Sequence, residues 1–180
     1  MIGSHNTMTY LKPRAWWMYL INSWAKCQDK TLEEQLKKVR CFDFRIYYNS
    51  KKNKWYFAHG LVEYNMDLIT ALEIVMNNKR RKNVYIRIIM EKGKEVDKFK
   101  DLCKTIEVRF PNINFFGGNR KSDWKKIYAF STGITDDKVN QWVSSMQPCC
   151  KLITPKRYAA LNNLVNLTKA SKGINLFDFI

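Results

Sequence analysis

The stretch Val39-Arg40-Cys41-Phe42-Asp43-Phe44-Arg45-Ile46-Tyr47 decides the fold class. Its period of two places Phe42, Phe44 and Ile46 on one face and Cys41, Asp43 and Arg45 on the other. An apolar face on one side, with charge gathering at the far end of the other, describes a barrel strand. Helices cover the outside of such a strand, and chemistry collects at its carboxyl end. The plainer reading is that Asp43 and Arg45 only neutralise each other.

The flanking segments repeat the pattern. Upstream, Thr31-Leu32-Glu33-Glu34 reads as a capping box, and Leu32, Leu36 and Val39 form the stripe of a short helix. Downstream, the strand Trp55-Tyr56-Phe57-Ala58-His59 stops at Gly60, and a helix from about Met66 carries Leu68, Ile69, Leu72, Val75 and Met76. Asn83 to Glu91 alternates again, with Val84, Ile86, Ile88 and Met90 opposed to Tyr85, Arg87, Ile89 and Glu91. Val96, Phe99, Leu102, Cys103 and Ile106 stripe the next helix, which Pro111 closes. Ile113 to Phe116 reads as a short strand. The basic loop Gly117-Gly118-Asn119-Arg120-Lys121 after it lacks the Walker pattern of a phosphate loop and reads as a plain turn.

Lys126 to Ser131 is expected to be a strand, Val139, Trp142, Val143 and Met146 a helical stripe, and Cys150 to Ile153 a weak strand. Thr154 is a good N-cap with Pro155 behind it, opening a helix that carries Tyr158, Leu161, Leu164 and Val165. Gly173 turns the chain into a last strand, Ile174 to Ile180, whose inner row would be Ile174, Leu176 and Asp178. With Met1-Ile2 as a first strand, about eight strands alternate with about six helices. The expected architecture is an α/β single domain over residues 1–180, a small irregular (β/α)8 TIM-like barrel. An open doubly wound sheet is the alternative.

The composition suits one packed domain: 180 residues, 46% hydrophobic and 14% aromatic. A formal charge of +16 predicts an anionic partner: nucleic acid, an anionic membrane surface or a phosphate-bearing substrate. No nucleic-acid motif is present, and the run Lys79-Arg80-Arg81-Lys82 closes a helix, where cations complement the helix dipole. Five cysteines without a CxxC pair or metal-ligand spacing are expected to be reduced and mostly buried. No leader and no bilayer-spanning run is visible, so the expectation is a cytoplasmic or peripheral membrane protein, with secretion left open, acting as a monomer.

Lys12 to Trp24 concentrates three tryptophans and a tyrosine behind Pro13, which is expected to stand near a helix start. Trp16, Trp17, Leu20 and Trp24 form either a core stripe or a water–lipid contact. The two histidines, His5 and His59, each lie beside a loop at the end of an apolar run. They read either as an acid and a base around one substrate or as chance survivors of a lysine-rich composition.

Four segments in order, Gly3-Ser4-His5-Asn6-Thr7, Gln28 with Leu32 to Leu36, Arg40 to Arg45, and Phe57-Ala58-His59-Gly60, resemble the X-domain family of phosphatidylinositol-specific phospholipases C. The likeness covers roughly residues 1–92 and returns at Phe177-Asp178-Phe179. It implies a barrel enzyme that cleaves phosphatidylinositol, or a related phospholipid, to diacylglycerol and inositol 1,2-cyclic phosphate. By that similarity His5 is the base, His59 the acid, Asp178 the carboxylate that orients His5, and Asp43 the acidic neighbour of Arg45. Asn6, Glu91, Lys92 and Arg120 would contact substrate, and Trp16 and Trp17 the membrane.

Animal enzymes of this family carry an acidic calcium ligand where this chain has Arg45, whereas bacterial ones carry arginine. The expectation is therefore metal-independent chemistry without a cofactor. Asn6, Asp43 and Glu91 are the oxygen ligands a calcium-dependent enzyme would use, and Arg45 among them would repel the ion. The competing readings are a metal-dependent glycerophosphodiester or sphingomyelin phosphodiesterase of the same superfamily, and a catalytically silent basic lipid-binding module.

Overall fold

The structure is a computed structural model that describes residues 1–78, 83–143, 153–170 and 172–180. Nine strands form one sheet: β1 (Ile2–Ser4), β2 (Cys41–Asn49), β3 (Lys54–His59), β4 (Val62–Asp67), β5 (Val84–Met90), β6 (Ile113–Arg120), β7 (Lys125–Lys126), β8 (Val139–Trp142) and β9 (Ile174–Phe177). The helices are α1 (Met18–Ala25), α2 (Leu32–Leu36), α3 (Leu68–Asn77), α4 (Val96–Arg109) and α5 (Pro155–Lys169). The order β7-β6-β5-β2-β1-β9-β8 is parallel from β6 to β8, while β7 lies antiparallel at one edge. The result is a curled, half-barrel sheet in a single α/β domain, the TIM-like architecture expected. Among the described residues β7 and β8 are not paired with each other.

The alternation of β2 is realised as read. Phe42, Phe44 and Ile46 join Ile86, Ile88, Met90 and Phe115 in the layer under α2, α3 and α4, where Leu36, Leu72 and Phe99 meet them. Each fully buried phenylalanine there contributes about 1.5–3 kcal/mol. Among the described residues the inner face holds a small apolar plug of Cys41, Phe116, Ile174 and Leu176. Above that plug the rows turn polar. Gly3 is needed at the narrowest point, since a Cβ would come within 2.7 Å of Cys41 Cβ and 2.9 Å of a Leu176 methyl.

The β3–β4 hairpin sets the geometry of the mouth. β5 holds one edge of β2 over Cys41–Ile46, and β1 holds the other only as far as Phe42. β3 therefore returns down the β1 edge, pairing Asn49 with Lys54 and Ile46 with Phe57. His5, just past β1, and His59, the end of β3, approach from opposite directions. His59 reaches the mouth on an antiparallel strand, not on the parallel strand expected.

Other local readings change. Residues 139–142 form strand β8, not a helix, because the free edge of β9 recruits them through the pairs Val139–Ile174 to Trp142–Phe177. β6 runs on through the supposed turn to Arg120, with a bulge at Gly117–Gly118 that only positive φ permits (91° and 73°). The expected strand at 126–131 is only Lys125–Lys126; Ile127 and Tyr128 both donate to the Gly118 carbonyl, which turns the chain away. Pro13 does not open a helix: it bridges Tyr64, and α1 starts at Met18. The capping box at Thr31 and the N-cap at Thr154 stand as read. Cys27, Cys41 and Cys103 are free and buried, whereas Cys149, Cys150 and Lys79–Lys82 lie outside the described residues.

Candidate active site

His5 begins the turn that follows β1, and its backbone N–H donates to the Phe177 carbonyl at 2.9 Å, so β1 and β9 end together. Gln28 locks that junction by donating to the carbonyls of His5 and Phe177, both at 3.0 Å. Asp178 follows β9 directly, and its Oδ1 lies 2.7 Å from His5 Nδ1. On the other edge of the ring, an Arg45 guanidinium nitrogen lies 2.9 Å from His5 Nε2. Arginine can only donate, so Nε2 is the unprotonated nitrogen and Nδ1 carries the proton given to Asp178. That is the tautomer of a base.

Arg45 is the hub of the inner row. Its Nε donates to Asp43 Oδ2 at 2.9 Å, another nitrogen donates to Gln141 Oε1 at 3.0 Å, and Glu91 Oε2 lies 3.6 Å away. Burial alone would lower the Arg45 pKa, but Asp43 and Glu91 outweigh it and hold the guanidinium charged. Asp43 also accepts from the Asn6 backbone N–H at 3.2 Å and faces Arg87 at 3.4 Å. Burial would raise its pKa; Arg45, Arg87 and His5 instead keep it far below the usual carboxylate range. Glu91 is likewise held low, against burial, by Arg45 and Lys121.

His59 completes the group. Its ring centroid is 6.2 Å from that of His5, with the rings at 89°. Its Nδ1 donates to the Ala25 carbonyl at 2.7 Å. Burial and then the nearby Arg45 charge push its pKa down to about 3. Glu91 Oε1 accepts from the Gly60 N–H at 2.7 Å and so pins the turn behind His59.

The cluster thus unites His5, Asn6, Asp43, Arg45, His59, Glu91 and Asp178. Lys92 and Arg120 are not brought to it: Lys92 donates to Glu63 at 2.7 Å, and Arg120 pairs with Asp123. Lys121 takes the place expected of Arg120, bonded to Glu91, because the bulge adds a residue and reverses the facing of β6 beyond it. Gln141 escaped notice because its segment reads as helical. Arg87 was legible on the inner row of β5, and Trp124, whose ring lies 5.9 Å from the Arg45 guanidinium and 5.6 Å from that of Arg87, carried no signal at all.

The core-stripe reading of the aromatic segment fails. Trp16 is 79% exposed, Leu20 75% and Trp17 41%, while Met18 and Ala25 supply the buried face of α1. No helix among the described residues is long and apolar enough to cross a membrane.

Of the oxygen set suggested for calcium, Asn6 Oδ1 and Glu91 Oε2 are buried without a hydrogen-bond partner among the described residues, and Arg45 lies 3.6 Å from that Glu91 oxygen. Both Asp43 oxygens are held by arginines, and Glu91 Oε1 by Gly60 and Lys121. A different group, the ligand atoms of His5, Cys27 and Asp178, lies within 4.8 Å of one another.

The fold has a solved counterpart. The phosphatidylinositol-specific phospholipase C from Listeria monocytogenes superposes with a TM-score of 0.66 at 16% identity, over 99% of this chain and 87% of that one. No protein-family model and no curated relative matches the sequence.

Proposed function

We propose that this protein is a phosphodiesterase of the phospholipase C type, which cleaves phosphatidylinositol by attack of the headgroup's own hydroxyl on phosphorus. The observation that carries the reading is the chain Asp178–His5–Arg45, in which a carboxylate fixes the base tautomer and a bidentate cation stands at the base's open nitrogen. A histidine so arranged takes a proton from a hydroxyl, and a guanidinium beside it stabilises charge growing on the non-bridging phosphoryl oxygens. The likeness in fold to the Listeria phospholipase supports the same reading.

In this mechanism the diester enters between the histidines and draws Arg45 off His5 Nε2 onto its phosphoryl oxygens. His5 then takes the proton of the attacking hydroxyl, and Asp178 stabilises the imidazolium that forms. His59 gives a proton to the departing diacylglycerol oxygen. The P–O bond to glycerol breaks as the ring-closing P–O bond forms, which leaves inositol 1,2-cyclic phosphate. Arg45 supplies the positive charge, so the reaction needs no divalent ion. Exposed Trp16 and Trp17, with the chain's net charge of +16, bring the site to an anionic membrane, each well-placed Lys or Arg adding about 1 kcal/mol.

Phosphorus NMR of the purified protein with phosphatidylinositol in mixed micelles tests this, once with EDTA and once with calcium. Cyclic phosphate in EDTA is the expected outcome. Product only with calcium would transfer the assignment to a metal-dependent phosphodiesterase, and no product in either would leave a lipid-binding role.

A further inference from the structure

We propose that His5, Cys27 and Asp178 form a binding site for a thiophilic divalent cation, zinc being the physiological candidate, and that its occupancy switches the base off. The three ligand atoms lie within 4.8 Å of one another, and all three residues are buried. Tetrahedral zinc holds such atoms about 3.3–3.7 Å apart, as follows from bonds of about 2.0–2.3 Å. A shift of about 1 Å, which parts His5 Nδ1 from Asp178 Oδ1 (2.7 Å) and draws the wider pair together, closes the site.

A second observation points to a ligand here. Asp178 Oδ2 is buried and makes no regular hydrogen bond; the Cys27 thiol is what interacts with that carboxylate, whose Oδ1 is engaged by His5. An anionic oxygen without a regular hydrogen bond in the interior is costly and calls for a cation or donor. Arg45 meets His5 at Nε2, the ring nitrogen away from Asp178. Thiolate and carboxylate together neutralise the two charges of the ion.

The proton balance accounts for inhibition. The ion takes Nδ1, the ring proton moves from Nδ1 to Nε2, Arg45 leaves Nε2, and the Cys27 thiol releases one proton to solvent. His5 then has no lone pair for a substrate hydroxyl. Binding stands independently of the proposed reaction; only the inhibition rests on His5 being its base.

Cobalt reports the site without any turnover, because a thiolate-bound cobalt ion shows a charge-transfer band in the near ultraviolet. The full-length protein with Cys149→Ser and Cys150→Ser is expected to show that band and to gain thermal stability with zinc. Adding Cys27→Ser or Asp178→Asn should abolish the band or weaken the metal by about tenfold or more. Absence of the band in the Cys149/Cys150 double variant, or its survival at full strength when Cys27→Ser is added, would overturn the site. If phosphatidylinositol turnover is found, zinc should inhibit it, and Cys27→Ser should raise the zinc needed for half-inhibition, relative to its own uninhibited rate, by about tenfold or more. A band without zinc inhibition of an active enzyme would retain the site and reject the switch.

Discussion

His5 and His59 stand 6.2 Å apart with their rings nearly perpendicular, because β1 climbs and β3 descends the same edge of β2. The two rings are not equivalent. His5 is held by a carboxylate and a cation, whereas His59 has a backbone carbonyl on one nitrogen and lies under the influence of Arg45. In the proposed reaction the first would serve as the base, and the second, hard to protonate in its buried place, would give its proton up readily.

Asp178→Asn should therefore lower kcat by about 10²-fold or more while leaving the fold intact, since an amide cannot stabilise the imidazolium. Steady-state rates on a water-soluble inositol phosphodiester, beside a thermal melt, check this. A rate within a factor of about three of wild type would show that Asp178 serves only to end β9.

Arg45→Lys keeps the charge yet should cost about 10²–10³-fold in kcat, because lysine cannot donate to two phosphoryl oxygens from fixed positions. Asp43 and Glu91 would retain a cation between them, so the melting temperature should fall less than in Arg45→Ala. Equal loss of rate in both variants, with equal loss of stability, would assign Arg45 to the ion-pair network alone.

The inner charged row of β2 was readable from its period of two, and so were the outer core and both histidines. What the sequence hid was non-local. β8 was invisible because Val139-Asn140-Gln141-Trp142 becomes a strand only against the edge of β9. Lys121 was invisible because a two-glycine bulge reverses the facing of β6. The direction of β3 was equally hidden, as a strand ending in His59-Gly60 looks the same in either orientation. Each miss depended on hydrogen-bonding partners distant in the chain, which local pattern does not encode.

Gly3→Ala tests the narrow point of the sheet. The new methyl would sit 2.7–2.9 Å from Cys41 and Leu176 atoms, and strands β1 and β2 would have to part. The expected destabilisation is about 1–3 kcal/mol, read by chemical denaturation. Because His5 follows two residues later, the rate should fall too.

Trp16→Ala with Trp17→Ala should leave the melting temperature nearly unchanged, since exposed side chains away from structural contacts contribute within about 0.5 kcal/mol. Vesicle sedimentation with anionic lipid should weaken strongly, and cleavage of a soluble substrate should not. Parallel losses in both would place the tryptophans in packing after all.

The depressed pKa of His59 fixes the sign of two pH effects. Unfolded, the ring takes a proton near pH 6.5, whereas folded it does so only at about 3. Between those values the unfolded chain binds more protons, so His59 makes stability fall as pH drops through that window. Replacing His59 with Gln should flatten that part of the stability curve. The same shift governs catalysis. In the free enzyme the acid form of His59 is scarce at neutral pH, so kcat/KM should rise as pH falls below 7. A bound phosphodiester brings negative charge beside the ring and favours its protonation, so the basic limb of kcat should lie at higher pH than that of kcat/KM. Coincident limbs would mean that the substrate's charge does not reach His59, and the leaving-group proton would then have to come from elsewhere.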